Sequence, residues 1–124
     1  MAKNGFRFIL IAIITIAMFG IFKNLFGGST DNEELKQVIS DGAFLVDVRT
    51  PGEFTTGSAK GAVNIPLDKV SGQLEKFKGK NKIVVFCRSG NRSSQAKSIL
   101  EQNGFKNVLN GGTWENVNKI IKEN

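Results

Sequence analysis

No histidine occurs anywhere in the 124 residues. That absence excludes a Ser-His-Asp triad, a Cys-His nucleophile pair, a histidine general base and a His-ligated zinc site built from this chain alone. Cysteine occurs once, as Cys87. A single thiol forms no internal disulfide, no Cys-x-x-Cys redox pair and no cysteine metal cage. Catalysis by this chain therefore falls to carboxylates, lysine, arginine, hydroxyls, backbone dipoles or that one thiol. Internal repeats and low-complexity tracts are also absent. Hydrophobic residues make up 40% of the chain and charged residues 23%. These ordinary globular proportions argue against disorder, a collagen-like repeat or a polytopic membrane protein. The length suits one domain.

The apolar residues are unevenly spread. Phe8 to Phe22 is a run of 15 residues without a charge, flanked by Arg7 and Lys23. With Lys23 snorkelling, the stretch extends from Phe6 to Phe26, near the roughly 20 residues a bilayer core requires. Lys3 and Arg7 precede the run while Asp31, Glu33 and Glu34 follow it. The positive-inside rule then keeps the N-terminus cytoplasmic and turns the remainder toward the extracytoplasmic, periplasmic side of the cell envelope. A cleaved signal peptide is the rival reading, with the domain secreted to the same side. No Ala-x-Ala site follows the run, which favours an uncleaved single-pass anchor. With no cysteine just after the run, a lipoprotein is excluded. The expected organisation is an N-terminal hydrophobic anchor or signal segment with its Gly-Gly linker over 1–28, and a globular domain over 29–124.

Residues 1–28 hold three of the 17 basic residues and none of the 11 acidic ones, which leaves the rest a net charge of only +3. The high isoelectric point is thus poor support for a nucleic-acid partner, and none is expected. Lys76, Lys78, Lys80 and Lys82 alternate in EKFKGKNK without aromatic stacking residues, and read as a solvated loop.

In the domain, Thr30-Asp31-Asn32-Glu33 has the form of a capping box, ahead of a helix with Leu35, Val38 and Ile39 on one face. Asp41-Gly42 ends that helix, and Ala43–Val48 reads as a buried strand. Thr50-Pro51-Gly52-Glu53 predicts a second cap with proline at the first helical position. Val63–Ile65 is a brief strand closed by Pro66. Leu67, Val70, Leu74 and Phe77 have the spacing of a helix. Ile83–Phe86 is wholly apolar and rich in β-branched residues, as a central parallel strand covered on both faces must be. A helix from Arg92 carries Ala96, Ile99 and Leu100 to an Asn103-Gly104 stop. Phe105–Leu109 predicts another strand, Gly111-Gly112 a turn, and Trp114, Val117, Ile120 and Ile121 the apolar face of a last helix. The alternation implies an α/β fold, a small parallel β-sheet flanked by helices on both faces.

The chemistry concentrates in Val84–Ser94. Cys87 stands at the carboxyl end of a buried strand, followed by a glycine-containing loop and a helix N-terminus, where open α/β sheets bind ligands. Gly90 and Asn91 tolerate left-handed backbone, so the loop can close into a nest of inward-pointing N–H groups. Arg88 and Arg92 add two positive charges. A thiol so placed has a depressed pKa and is nucleophilic, and the same cradle suits an anionic substrate. Most lone cysteines are small buried hydrophobes; the neighbours of Cys87 argue for function instead. Arg92 either faces substrate or pairs with Asp47 or Glu53 to pin the loop. Arg88 has no such obvious partner and is expected to face substrate or solvent. Ser89, Ser93 and Ser94 offer hydroxyl donors, although Ser93 and Ser94 could also cap the helix.

Ile83–Ser93, with Leu45–Phe54, Gly61–Leu67, Gly104–Val108 and Gly111–Trp114, resembles the rhodanese (thiosulfate sulfurtransferase-like) family in the family's order over essentially all of 31–124. The resemblance implies a rhodanese-like fold and a catalytic Cys87. It would take a sulfane sulfur from a small anionic donor such as thiosulfate, and pass it as a persulfide to cyanide or a thiol. Arg88, Ser89, Gly90, Asn91, Arg92 and Ser93 would form the substrate cradle, with Asp47 and Arg49 an ion-pair support beneath it. No metal and no organic cofactor is implied. Phosphatases on the same fold carry Cys-x5-Arg, whereas Cys87 to Arg92 is Cys-x4-Arg, a tighter cradle that suits sulfur better than tetrahedral phosphate. Where the family often carries Gly-His-Ile-Pro this chain has Gly57-Ser58-Ala59-Lys60, a departure that bears on local packing. Two further readings compete: a non-catalytic rhodanese-like binding or tethering module, and a thiol-redox protein that needs an external resolving thiol.

Overall fold

The computed structural model describes residues 31–124. Its elements, in chain order, are α1 (Asn32–Ser40), β1 (Phe44–Asp47), α2 (Pro51–Thr55), β2 (Val63–Asn64) and α3 (Leu67–Val70). A 3-10 turn (Leu74–Phe77), β3 (Ile83–Cys87), α4 (Asn91–Gln102), β4 (Val108–Thr113) and α5 (Trp114–Glu123) follow. The four strands are all parallel, in the order β2-β1-β3-β4. The expected small parallel sheet with helices on both faces is the fold observed. The proposed N-terminal anchor and the Thr30 cap lie outside the described residues. Among the described residues no helix is long and apolar enough to cross a membrane.

β3 is the central strand, and all five of its residues are buried. Alternation along it assigns the two layers. Ile83, Val85 and Cys87 face a core shared with Val46, Val48, Ile65, Val70, Phe77, Ala96 and Leu100. Val84 and Phe86 face the opposite core, with Leu35, Val38, Leu109, Val117 and Ile120. α3 and α4 thus cover one face, and α1 and α5 the other. Cys87 closes the strand from within the first core, so strand geometry fixes where its sulfur points.

Several local expectations change. Asp31 is the cap of α1, accepting from the Glu33 N–H at 3.5 Å. The helical spacing over Leu67–Phe77 resolves into α3 and a separate 3-10 turn. Gly72 and Gln73 close i→i−3 bonds onto Lys69 and Val70, a tightening that a glycine favours over continued α-helix. The strand expected over Phe105–Leu109 begins instead at Val108, because Phe105 N–H still bonds Leu100 O at the end of α4. The Gly111-Gly112 pair is no turn. β4 runs through it with a bulge: Val85 pairs with Asn110 while Phe86 pairs with Gly112. Gly111 is the extra residue, and a Cβ there would stand 2.8 Å from Val117 Cγ2 and 2.9 Å from Val84 Cγ1. The close approach of α5 to β3 therefore demands glycine.

Candidate active site

The loop after β3 builds the site. Gly90 caps α4 in the left-handed conformation, φ +94° and ψ −9°, which would cost an L-residue about 1–2 kcal/mol. Asn91 is the first helical residue and no non-glycine among the described residues has positive φ. The left-handed step is therefore made by Gly90 alone. It turns the Gly90 N–H onto Cys87 Sγ at 3.0 Å. Ser93 does not cap the helix. It is buried one turn in, with Oγ 3.4 Å from Sγ.

Cys87 is 0% exposed, so its sulfur lies beneath the loop. Burial pushes the thiol up, but the Ser93 hydroxyl and the backbone N–H groups of Ser93, Ser89 and Gly90 outweigh it and hold the thiol below its ordinary range. The loop thus favours the thiolate through oriented dipoles.

Arg92 is half-buried and makes a bidentate pair with Glu53 of α2, Nη1 to Oε1 at 2.6 Å and Nη2 to Oε2 at 2.9 Å. Of the two partners the sequence offers, Glu53 is the one taken. Glu53 also closes the capping box with Thr50, so one carboxylate ties α2 to the start of α4. The Arg92 fork, followed by the Thr50 N–H, draws the Glu53 pKa down from 4.5 to about 2. The Glu53 bond in turn raises Arg92 above its ordinary value, and the charge of Cys87 adds to that rise. Arg88 and Ser89 on the loop and Asn91 at the start of α4 are exposed. Beside it runs a groove of about 450 Å³ whose walls include Val48, Thr50, Pro66, Leu67, Arg92 and Gln95.

Asp47 and Arg49 form a buried ion pair at the end of β1, Nη2 to Oδ2 at 2.7 Å, with exposures of 0% and 4%. Arg49 also donates to Gly57 O at 2.6 Å and lies 5.1 Å from the Trp114 ring centroid. Ser58 donates to Asp47 Oδ2 at 2.7 Å. The serine at the position where the resembled family often has histidine therefore satisfies the buried carboxylate. The sequence names Ser58 only as a departure and passes over Asn110, which is buried in β4, with Oδ1 accepting from Ser93 Oγ at 2.7 Å and Nδ2 donating to Gly90 O at 3.2 Å. Its only sequence signal is an asparagine directly after the apolar Val108-Leu109. No group of three or more metal-ligating side chains occurs among the described residues.

Comparison with known proteins bears on the fold and the family. The profile of the Rhodanese-like domain family matches residues 31–116. A sulfurtransferase of Allochromatium vinosum is 37% identical over 82 residues, covering 64% of this chain and 77% of the relative. Thiosulfate sulfurtransferase PspE of Escherichia coli is 36% identical over 74 residues, covering 58% and 71%. A tRNA uridine(34) hydroxylase of Acinetobacter baylyi is 36% identical over 110 residues, 81% of this chain but only 35% of that protein. Among solved structures, a rhodanese with anions from E. coli superposes with a TM-score of 0.56 at 31% identity, over 60% of this chain and 91% of the other.

Proposed function

The chain belongs to the rhodanese-like domain family, and from that premise we propose that it is a sulfurtransferase working through a persulfide on Cys87. The observation that carries this reading is a sulfur held at a strand end with the Gly90 N–H on it at 3.0 Å and the Ser93 hydroxyl at 3.4 Å. Relatives named as sulfurtransferases support it.

The Cys87 thiolate attacks the outer sulfur of thiosulfate. A Cys–S–S bond forms, the bond to the sulfonate sulfur breaks, and sulfite leaves with the electron pair. Cyanide or a thiolate then attacks the terminal sulfur and the Cys87 thiolate returns. No proton has to be removed in either step once the thiol is ionised, which suits a chain without histidine. Loop N–H groups stabilise the anionic sulfur as an oxyanion hole stabilises oxygen. Arg88, Ser89, Asn91 and the wall at Arg92 line the approach of the anionic donor. An anionic donor also fits the anions described for the E. coli rhodanese. Phosphate transfer is disfavoured, since both guanidinium branches of Arg92 are engaged by Glu53.

Intact mass of the full chain after incubation with thiosulfate tests the proposal. We expect one added sulfur atom, removed by cyanide and absent from Cys87→Ser. An unmodified parent chain with thiosulfate and with polysulfide would leave the binding-module reading in its place.

The apolar run Phe8–Phe22 and the charges around it support a membrane-anchored placement with the domain on the extracytoplasmic side. Retention of the full chain in carbonate-washed membranes is the expected result. Its recovery at full length in the soluble fraction would remove the anchor.

A further inference from the structure

Ser93 has one hydroxyl hydrogen and three acceptors within reach: Asn110 Oδ1 at 2.7 Å, Gly90 O at 3.1 Å and Cys87 Sγ at 3.4 Å. It can serve one of them at a time. The two oxygen acceptors have donors of their own. Gly112 N–H reaches Asn110 Oδ1 at 2.9 Å. Asn110 Nδ2 at 3.2 Å and Ser94 N–H at 3.0 Å reach Gly90 O. Turning the hydroxyl hydrogen onto the sulfur therefore strands no buried acceptor. Ser93 and Asn110 are 0% and 3% exposed, so water scarcely competes. The Gly112 N–H also fixes which end of the Asn110 amide is oxygen.

We propose that Asn110 is a positioning residue of the Cys87 site, holding the Ser93 hydroxyl against the sulfur and taking its hydrogen bond while Cys87 is a thiol. In that state the S–H donates to Ser93 Oγ and Ser93 donates to Asn110. When the thiol ionises its proton leaves to water. The Ser93 O–H bond stays intact and rotates, and the sulfur then receives both the hydroxyl and the Gly90 N–H. Asn110 thereby competes with the thiolate for one hydrogen and sets how readily the sulfur ionises. The inference rests on the reading of Cys87 as the sulfur-transferring nucleophile. The charged groups around the thiol are Arg88 in the loop, Arg92 of α4 with Glu53 of α2, and Asp47 with Arg49 at the end of β1. All five remain in the variants below, so differences between variants report the hydroxyl.

The test is the pH profile of Cys87 alkylation by iodoacetamide in the full chain. Asn110→Ala is expected to lower the midpoint by about half a unit, a roughly threefold gain in thiolate on the acid side. Ser93→Ala is expected to raise it, and Asn110→Ala added to Ser93→Ala to move it no further. An unchanged midpoint in a folded Asn110→Ala chain overturns the proposal, as does a shift of the same size in the Ser93→Ala background. If Asn110→Ala does not fold by circular dichroism, Asn110→Leu keeps the size and removes the acceptor without adding a charge. It should lower the midpoint likewise, with that shift lost in the Ser93→Ala background; a shift that persists whole overturns the proposal. Sulfur uptake from thiosulfate is measured separately. These shifts without uptake would support the Asn110 role and overturn the donor assignment, whereas uptake without these shifts would do the reverse.

Discussion

A single carboxylate organises the rim of this site. Glu53 accepts from both branches of Arg92 and from the Thr50 N–H, and its pKa falls from 4.5 to about 2 for those reasons, the Arg92 bond first. A depressed folded pKa means that the stabilisation is fully present above the unfolded value near 4.5 and is lost as pH falls through about 2. Denaturant melts of the parent chain and Glu53→Gln should therefore differ most at pH 6 and converge toward pH 2. A constant gap across that range would show that Glu53 acts through shape and not charge. Cys87 obeys the same rule in the same direction, since its thiol is also lowered. At residue scale the sequence was half legible: Arg92 has carboxylates at two distances along the chain, and nothing local decides between them.

At the scale of elements, β4 shows where local pattern misleads. Gly-Gly is an ordinary turn signal, yet here it is a bulge in a parallel strand, paired on both sides of the irregularity with β3. The cause is steric: Val84 and Val117 close on Gly111 from the sheet and from α5. Gly111→Ala is expected to destabilise the chain by about 1–3 kcal/mol through overpacking. Val117→Ala in the same chain should recover part of that loss, because it removes the nearer of the two methyl contacts. Additive losses in the double variant, measured by urea denaturation, would place the cause in backbone conformation instead. By contrast β3, α2 and the stop of α4 were readable. An unbroken apolar run, a Thr-Pro-Gly-Glu cap and an Asn-Gly terminus each state their structure within a few residues.

Across the whole molecule, one buried pair joins parts of the chain that share no local pattern. Asp47 holds Arg49 and receives Ser58, while Arg49 reaches the Gly57 carbonyl and lies against Trp114 at the start of α5. The end of β1, the segment after α2 and the second helical layer thus meet on one ion pair. Asp47→Asn would leave a buried guanidinium without its counter-charge, at a cost of about 3–5 kcal/mol. The expected result is a large drop in the urea midpoint, with the Ser58→Ala loss much smaller. A drop under about 1 kcal/mol, the scale of an exposed pair, would mean that water reaches Arg49 in the folded chain.

Composition and local order by themselves determined that histidine chemistry and cysteine metal cages lie outside this chain. They also settled that a central apolar strand ends at the one thiol, and that a glycine loop and a helix start follow it. Each of those is written within about ten consecutive residues, because strand burial, turn conformation and helix capping are short-range effects. Tertiary structure alone decided that Arg92 binds Glu53, that Ser58 meets Asp47, and that Asn110 stands beside Ser93. Parallel strands join residues tens of positions apart, and which side chains meet depends on strand order, register and one bulge. Only the packed sheet determines all three together.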